Sequence, residues 1–204
     1  MKKDNFKYKD IPWEKEDPKE IIFELIENNS KVLDLGCWAG RFGEKLKNEK
    51  NCLVYGTDIN KQAIKLAEKR LDLAFLSDLS KPETLKETLR EENFDFITAI
   101  EVLEHLAEPE ELLLEIKKYL GKNGKLIVSV PNVANYAVRL NLLAGNFSYE
   151  DQGILDETHL RFFTLFTIKK LINDSGYKIE QIKYTRAKNF PTFFATQFIL
   201  VCRK

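Results

Sequence analysis

Cysteine and histidine are scarce in this 204-residue chain, which has three of one and two of the other. Cys37, Cys52 and Cys202 are widely separated, odd in number and never spaced C-x-x-C. That excludes a disulfide framework and a cysteine-built zinc site, and reads as reduced, buried thiols. Long apolar runs are missing too: nothing approaches the roughly 18 residues of a membrane span. The opening MKKDNFKYKD has no apolar stretch behind its lysines, so no secretory leader is expected and a cytoplasmic chain is. There is no Pro/Ser/Gly-rich linker, internal repeat or low-complexity tract, which favours one domain over 1–204. Charge of one sign is not in excess, with Lys+Arg and Asp+Glu at 32 each. Bulk attraction to nucleic acid is therefore not expected, and neither RNA nor a membrane is the anticipated partner.

What is present is a rhythm. DPKEIIFELIENN (17–29) starts like a helix, with Asp17 as N-cap, Pro18 at N1 and Glu20 at N3. Strand-like KVLDLG, CLVYGTD (52–58), LAFLSD (73–78), FDFITAI (94–100) and KLIVSVPN (125–132) follow. Between them lie helical RFGEKLKNEK, NKQAIKLAEKR, SKPETLKETLREEN (capped by Ser80 and Glu83) and PEELLLEIKKYL, the last ended by Gly121. Five alternations specify a parallel sheet with helices on both faces. After a helix at 165–176, YKIEQIKYTR and FFATQFILVCRK are strands joined by only AKNFPT, too short for a crossover, so they are antiparallel. The expected fold is a doubly wound, Rossmann-like α/β sheet of seven strands, mostly parallel, closed by an antiparallel hairpin.

In such sheets ligands bind beyond the carboxyl ends of the strands. Acids gather there: Asp34 with Gly36 after strand one, Asp58 after two, Asp78 after three and Glu101 after four. So much negative charge suits a cationic, hydroxyl-bearing ligand better than a phosphate. Gly36 and Gly40 allow a tight turn and close backbone approach. Asp58 lies 22 residues beyond Gly36, where a carboxylate can accept from ribose hydroxyls. Asp78, with the Leu79 backbone, can meet an adenine edge. Each acid alone also serves as an ordinary turn or helix cap; the ordered set points to a nucleoside. A G-x-G-x-x-G pyrophosphate loop is absent, which disfavours a nicotinamide enzyme.

VLDLGCWAGRFGEKL, YGTDIN, LSDLS, FDFITAIEVLEHL and GKNGKLIVSVPN together resemble the class I S-adenosylmethionine-dependent methyltransferases, from about Lys31 to the C-terminus. The resemblance implies S-adenosyl-L-methionine as cofactor. It places Asp34, Gly36 and Gly40 in the glycine loop under the methionine part, Asp58 at the ribose and Asp78 with Leu79 at the adenine, with Cys37, Trp38, Ile59 and Ile100 as further cofactor-binding residues. One departure is Trp38, where the family commonly has glycine. Its ring either lies near the sulfonium, a cation–π contact of about 0.5–2 kcal/mol, or covers the neighbouring helix.

Both histidines sit in dense clusters. EVLEHL (101–106) sets Glu101, Glu104 and His105 at i, i+3 and i+4, one face of a helical turn, and His159 lies in DETHLRFF. Two carboxylates and two imidazoles suit a divalent metal. Without one, His105 or His159 is a candidate general base, with Glu101 beside it. A plainer reading makes Glu101 and Glu104 a solvated helix start and His105 a cap or substrate contact. E-x-x-E-H with a later histidine resembles the metal-dependent branch that includes ubiquinone-biosynthesis O-methyltransferases and small-RNA 2′-O-methyltransferases. VPN…THLRFFT resembles methyltransferases near sugar and cell-envelope polymer enzymes. These imply O-methylation of a small-molecule or sugar hydroxyl, the alternatives being a small-RNA enzyme or a non-catalytic cofactor-binding protein. Residues 132–163 exceed an ordinary loop and fit a substrate lid; 1–30 read as a flap, with Tyr8 and Trp13, followed by a helix. Arg161 in the lid can hold an anionic substrate group or simply be exposed.

Overall fold

The computed structural model describes residues 16–187 and 189–204. Tyr8 and Trp13 of the expected flap lie outside them. Among the described residues the first element is helix α1 (Pro18–Leu25), where Asp17 caps the Lys19 N–H; Glu20 pairs with Lys45 rather than closing a capping box. Then follow β1 (Lys31–Leu35), α2 (Arg41–Lys50), β2 (Leu53–Asp58), α3 (Lys61–Ala67), β3 (Leu73–Leu76), α4 (Leu85–Leu89) and β4 (Phe94–Ile100). The second half holds α5 (Pro109–Ile116), β5 (Leu120–Pro131), α6 (Tyr136–Leu143), α7 (Leu165–Asp174), β6 (Lys178–Tyr184), α8 (Pro191–Phe194) and β7 (Gln197–Arg203).

The sheet order is β3-β2-β1-β4-β5-β7-β6. β1 through β5 pair in parallel, and β7 runs antiparallel between β5 and β6. The seven-stranded, doubly wound sheet read from the sequence is therefore present. Its strand order reverses at β1, where β2 and β3 lie to one side and β4 to the other, and that puts the ligand crevice over the ends of β1 and β4.

Two apolar clusters cover the two faces. Leu33, Leu35, Phe94, Ile97, Leu126 and Phe198 belong to one, and Val32, Val54, Phe96, Ile127 and Ile199 to the other. Odd and even residues of one strand divide between the layers, as a strand buried on both faces requires. The cysteines are buried thiols.

Three local readings are corrected. Gly121 does not end a helix: α5 passes through a 3-10 turn (Lys117–Tyr119) directly into β5. Residues 121–124 form a bulge against β4, whose register jumps from Phe94↔Leu120 to Phe96↔Lys125. A Cβ at Gly124 would sit 2.7 Å from the Phe94 carbonyl oxygen, so a side chain there is excluded. Ser80 is not a cap; its N–H and hydroxyl both donate to Asp78. The link between β6 and β7 is not plain loop, because α8 occupies part of it.

Candidate functional site

Residues 35–40 leave β1 through a turn in which Gly36 and Gly40 have φ of +69° and +77°. A Cβ on Gly36 would come within 2.8 Å of Val102, and one on Gly40 within 3.1 Å of Ala67, so both glycines are required by the loop's own packing. Trp38, where the resemblance expects glycine, takes φ +49°. The loop keeps the left-handed backbone and accepts strain of roughly 1–2 kcal/mol for a side chain. Asp58 helps hold it, since its Oδ2 accepts the Trp38 N–H at 2.9 Å while Oδ1 accepts the Asn60 N–H at 2.8 Å. Asn60 in turn caps α3. One carboxylate thus ties the glycine turn, the end of β2 and a helix start together.

Asp34 is not an open rim acid. It is 3% exposed and its Oδ1 accepts the Thr98 hydroxyl at 2.7 Å, across the β1–β4 pair. Burial pushes its carboxyl up to about 6, against the opposing pull of the Thr98 bond. Asp78, two residues past β3, is half-buried, and Ser80 holds its carboxyl below the usual range through side-chain and backbone bonds. Around these acids the apolar side chains of Trp38 and Ile59 stand 40% and 67% exposed. Leu79 is half-buried, and Cys37 and Ile100 are buried. Acceptors and uncovered apolar surface at adjacent strand ends fit an adenosine, whose ribose needs hydrogen bonds and whose base needs flat contacts.

EVLEHL does not form the single α-helical turn that its spacing suggests. Glu101 follows β4 with φ +55°, and only Leu103–His105 wind, as a 3-10 turn. The Glu101 N–H lies 3.2 Å from both the carbonyl and the hydroxyl oxygen of Ser129, and its Oε1 accepts from Gln197 Nε2 at 2.6 Å. Glu104 points inward instead. It is 1% exposed, and neither carboxylate oxygen has a hydrogen-bond partner. Burial holds its carboxyl well above the usual range, and the charges of Glu101 and Asp156 add to the shift.

The long segment after β5 brings the second histidine to the first. Its ends are stapled: Asn132 bridges to Phe163, the Val133 N–H donates to the Phe163 carbonyl, and buried Asn132 and Asn135 donate to carbonyls in 194–195. The Leu160 and Arg161 N–H groups both donate to the Glu104 carbonyl, at 2.8 and 3.0 Å. The exposed Arg161 guanidinium donates to the Ala107 carbonyl and so helps to fasten the segment. His105 and His159 consequently pack edge to face with ring centroids 4.9 Å apart.

Their protons follow from their partners. His159 Nδ1 lies 3.2 Å from the Ile154 carbonyl, which only accepts, so Nδ1 carries the hydrogen. His105 Nδ1 lies 3.3 Å from the Thr158 carbonyl and 3.2 Å from the Thr158 hydroxyl, whose own proton goes to Asp156. That Nδ1 is protonated too. In each neutral ring the lone pair is on Nε2, the arrangement in which ligating histidines are usually held. Burial lowers the affinity of His159 for a second proton, with the neighbouring His105 adding to it and the Ile154 bond opposing it.

One ligand atom each from Glu104, His105 and His159 lies within 4.8 Å of the others. Three of the four residues expected to hold a metal are together, and Glu101 is outside the group. An unpartnered buried carboxylate facing two imidazoles fits a divalent cation. Sequence reasoning missed Thr98, Ser129, Thr158 and Gln197, which orient these groups; polar residues inside apolar strands, as at Thr98 and Ser129, were the available signal.

Comparison with known proteins agrees with this layout. A family model described as "Methyltransferase domain" matches residues 14–182. The ubiquinone biosynthesis O-methyltransferase of Glaesserella parasuis is 28% identical over 123 residues, covering 57% of this chain and 52% of its own length. That of Rickettsia conorii is 23% identical over 183 residues, covering 84% and 61%. The chain thus spans about half to three-fifths of these relatives. In fold it is similar to an S-adenosylmethionine-dependent methyltransferase from Archaeoglobus fulgidus, with a TM-score of 0.67, 19% identity and coverage of 91% and 94%. The chain belongs to the methyltransferase-domain family and has the fold of the class I S-adenosylmethionine-dependent enzymes.

Proposed function

We propose that this chain is an S-adenosylmethionine-dependent methyltransferase that modifies a hydroxyl of a small molecule or sugar, with a divalent ion at Glu104, His105 and His159. The observation that carries it is the Glu104 carboxylate, buried without a hydrogen bond beside two imidazoles at the carboxyl edge of the sheet. The O-methyltransferase relatives support oxygen as the acceptor atom.

S-adenosylmethionine supplies a methyl group made electrophilic by its sulfonium. Asp58 with Ile59 holds the ribose, Asp78 and Leu79 with Ile100 hold the adenine, and Asp34, Gly36, Cys37, Trp38 and Gly40 form the floor beneath the methionine part. Glu104, His105 and His159 would hold a divalent ion, which when bound would supply Lewis acidity toward the acceptor hydroxyl. Glu101, His105 and His159 bound the space next to it, and either imidazole can accept the acceptor's proton when no ion intervenes. Residues 132–163, stapled at their base, cover the acceptor and exclude water. Most of the acceleration comes from holding the oxygen and methyl carbon roughly 3 Å apart and aligned.

Methyl transfer to a panel of phenolic, sugar and RNA acceptors, before and after chelation, tests this. Transfer to a small hydroxyl acceptor that stops on metal removal and returns with Mg²⁺ or Mn²⁺ is expected, while cofactor binding by calorimetry persists throughout. His105→Ala and His159→Ala should lose turnover at nearly constant cofactor affinity. Undiminished transfer in metal-free protein would rule out the ion. Cofactor binding with no transfer to any acceptor would leave a binding protein.

A further inference from the structure

Every member of the three-residue group is fastened by one turn of the inserted segment, residues 154–161. The Ile154 carbonyl faces His159 Nδ1, Thr158 faces His105 Nδ1, and the Leu160 and Arg161 N–H groups donate to the Glu104 carbonyl. Asp156 lies at the middle of that turn and is not itself in the group. Its Oδ1 accepts the Thr158 N–H at 2.8 Å and the Thr158 hydroxyl at 2.6 Å, and its carbonyl accepts the His159 N–H at 3.1 Å. An aspartate that only shaped the backbone would need the first of these bonds; the one to the hydroxyl adds nothing to the turn. The two histidines differ in what faces them. The Ile154 carbonyl can only accept, so His159 needs no further control. A hydroxyl can accept or donate. With its proton held by Asp156, the Thr158 hydroxyl at 3.2 Å presents only lone pairs to His105 Nδ1. Without the carboxylate that proton is free to go to Nδ1, and the neutral ring then carries its hydrogen on Nε2.

We infer that Asp156 is a positioning residue for His105: by holding the Thr158 hydroxyl proton, it keeps the imidazole hydrogen on Nδ1 and the Nε2 lone pair open. The inserted segment thus completes the first histidine as well as bringing the second to it. The use of that lone pair rests on the ion reading above; the choice of tautomer does not. The hydrogen-bonded partners of ligating groups commonly change metal affinity by about 10–100-fold.

The chain has only two histidines, so each imidazole can be assigned by substituting the other, and its tautomer read from side-chain nitrogen chemical shifts in metal-free protein. Wild type should show His105 with its hydrogen on Nδ1. Asp156→Ala should move it toward Nε2 and weaken Mn²⁺ binding, followed by electron paramagnetic resonance, about ten-fold, with S-adenosylmethionine affinity unchanged. Adding Thr158→Val to Asp156→Ala should restore both, because the donating hydroxyl is gone while the Thr158 carbonyl at 3.3 Å still accepts. A wild-type ring protonated on Nε2, or a tautomer unmoved by Asp156→Ala, overturns the inference. A double variant that is not restored also overturns it and leaves Asp156 as a shaper of the turn. Wild-type protein that binds no Mn²⁺ while the tautomers follow this series overturns the ion alone and leaves the control of His105 standing. Should Asp156→Ala fail to fold, Asp156→Asn offers the hydroxyl an uncharged, weaker acceptor. A partial shift of His105 toward Nε2–H there supports the inference, and none overturns it.

Discussion

The two halves of the carboxyl edge are built on opposite plans. Over β1, β2 and β3 every acid already has protein partners: Asp34 takes the Thr98 hydroxyl, Asp58 two backbone N–H groups and Asp78 both donors of Ser80. Over β4 and the segment after β5, Glu104 has none, and the two histidines hold their Nδ1 protons toward backbone carbonyls with Nε2 left as acceptor. The first half is satisfied by itself, and the cofactor proposed for it would add to spare lone pairs. The second, the proposed acceptor half, is incomplete by itself. Buried carboxyls without partners are costly, so this half should be less stable than a neutral substitute until a cation arrives.

Glu104→Leu breaks that comparison most directly. In metal-free protein the substitution removes the uncompensated carboxyl and should leave stability unchanged or higher by about 1–3 kcal/mol, read from denaturant unfolding. Turnover should fall by about two orders of magnitude or more, and S-adenosylmethionine affinity should stay within about twofold, because no cofactor-side acid touches Glu104. A variant that is less stable yet still active would mean that Glu104 is structural and the contrast between the halves is false.

How much of this was legible follows the same division. β1 through β5 and the hairpin were readable because apolar strand runs and helical spacing are local properties of the chain. The glycine turn was readable because Gly36 and Gly40 sit at positive φ, where side chains are strained. The acids after β2, β3 and β4 were found in order, since a parallel sheet delivers those ends to one edge. The geometry of EVLEHL was misread. Its i, i+3, i+4 spacing describes an α-turn, but Glu101 is held left-handed by Ser129 and only three residues wind. Nothing local to the segment announces a partner 28 residues away. Gln197, 96 residues from Glu101, was invisible for the same reason. Asp34 was grouped with the rim acids although it is buried within the sheet; only the pairing of Asp34 with Thr98 reveals that.

Asp34 offers a sharper contrast through pH. Its carboxyl is raised from 3.8 to about 6, mainly by burial. Between about pH 4 and 6 the folded chain keeps a proton that the unfolded chain has released, so stability falls as pH rises through that window. A shift of this size corresponds to about 3 kcal/mol. A carboxamide in place of the carboxyl would still accept from Thr98 and cannot ionise, so Asp34→Asn should make the fall in stability between pH 4.5 and 7 shallower in thermal melts, leaving the share that the raised Glu104 carboxyl contributes. In the wild type the cationic cofactor favours the ionised form, so its binding should tighten as pH rises through 6, and the variant should lose that dependence. A wild-type profile that is flat, or that rises with pH in this interval, contradicts the burial argument.

Trp38 yields the smallest effect and decides between its two readings. The left-handed backbone at φ +49° costs a tryptophan roughly 1–2 kcal/mol and a glycine nothing, while glycine adds about 0.5–1 kcal/mol of freedom to the unfolded chain. The residue is 40% exposed, so its removal also gives up the apolar area that is buried. Trp38→Gly should therefore lower stability by about 1–3 kcal/mol, the relieved backbone strain offsetting only part of the lost burial. If the ring lies over the sulfonium, S-adenosylmethionine affinity falls by about 0.5–2 kcal/mol. The neutral demethylated product, S-adenosylhomocysteine, should then lose much less. Equal losses for both ligands would mean that Trp38 gives only apolar contact, and no loss for either would leave it covering the neighbouring helix. The cofactor half would then depend on hydrogen bonds alone at this point of the loop.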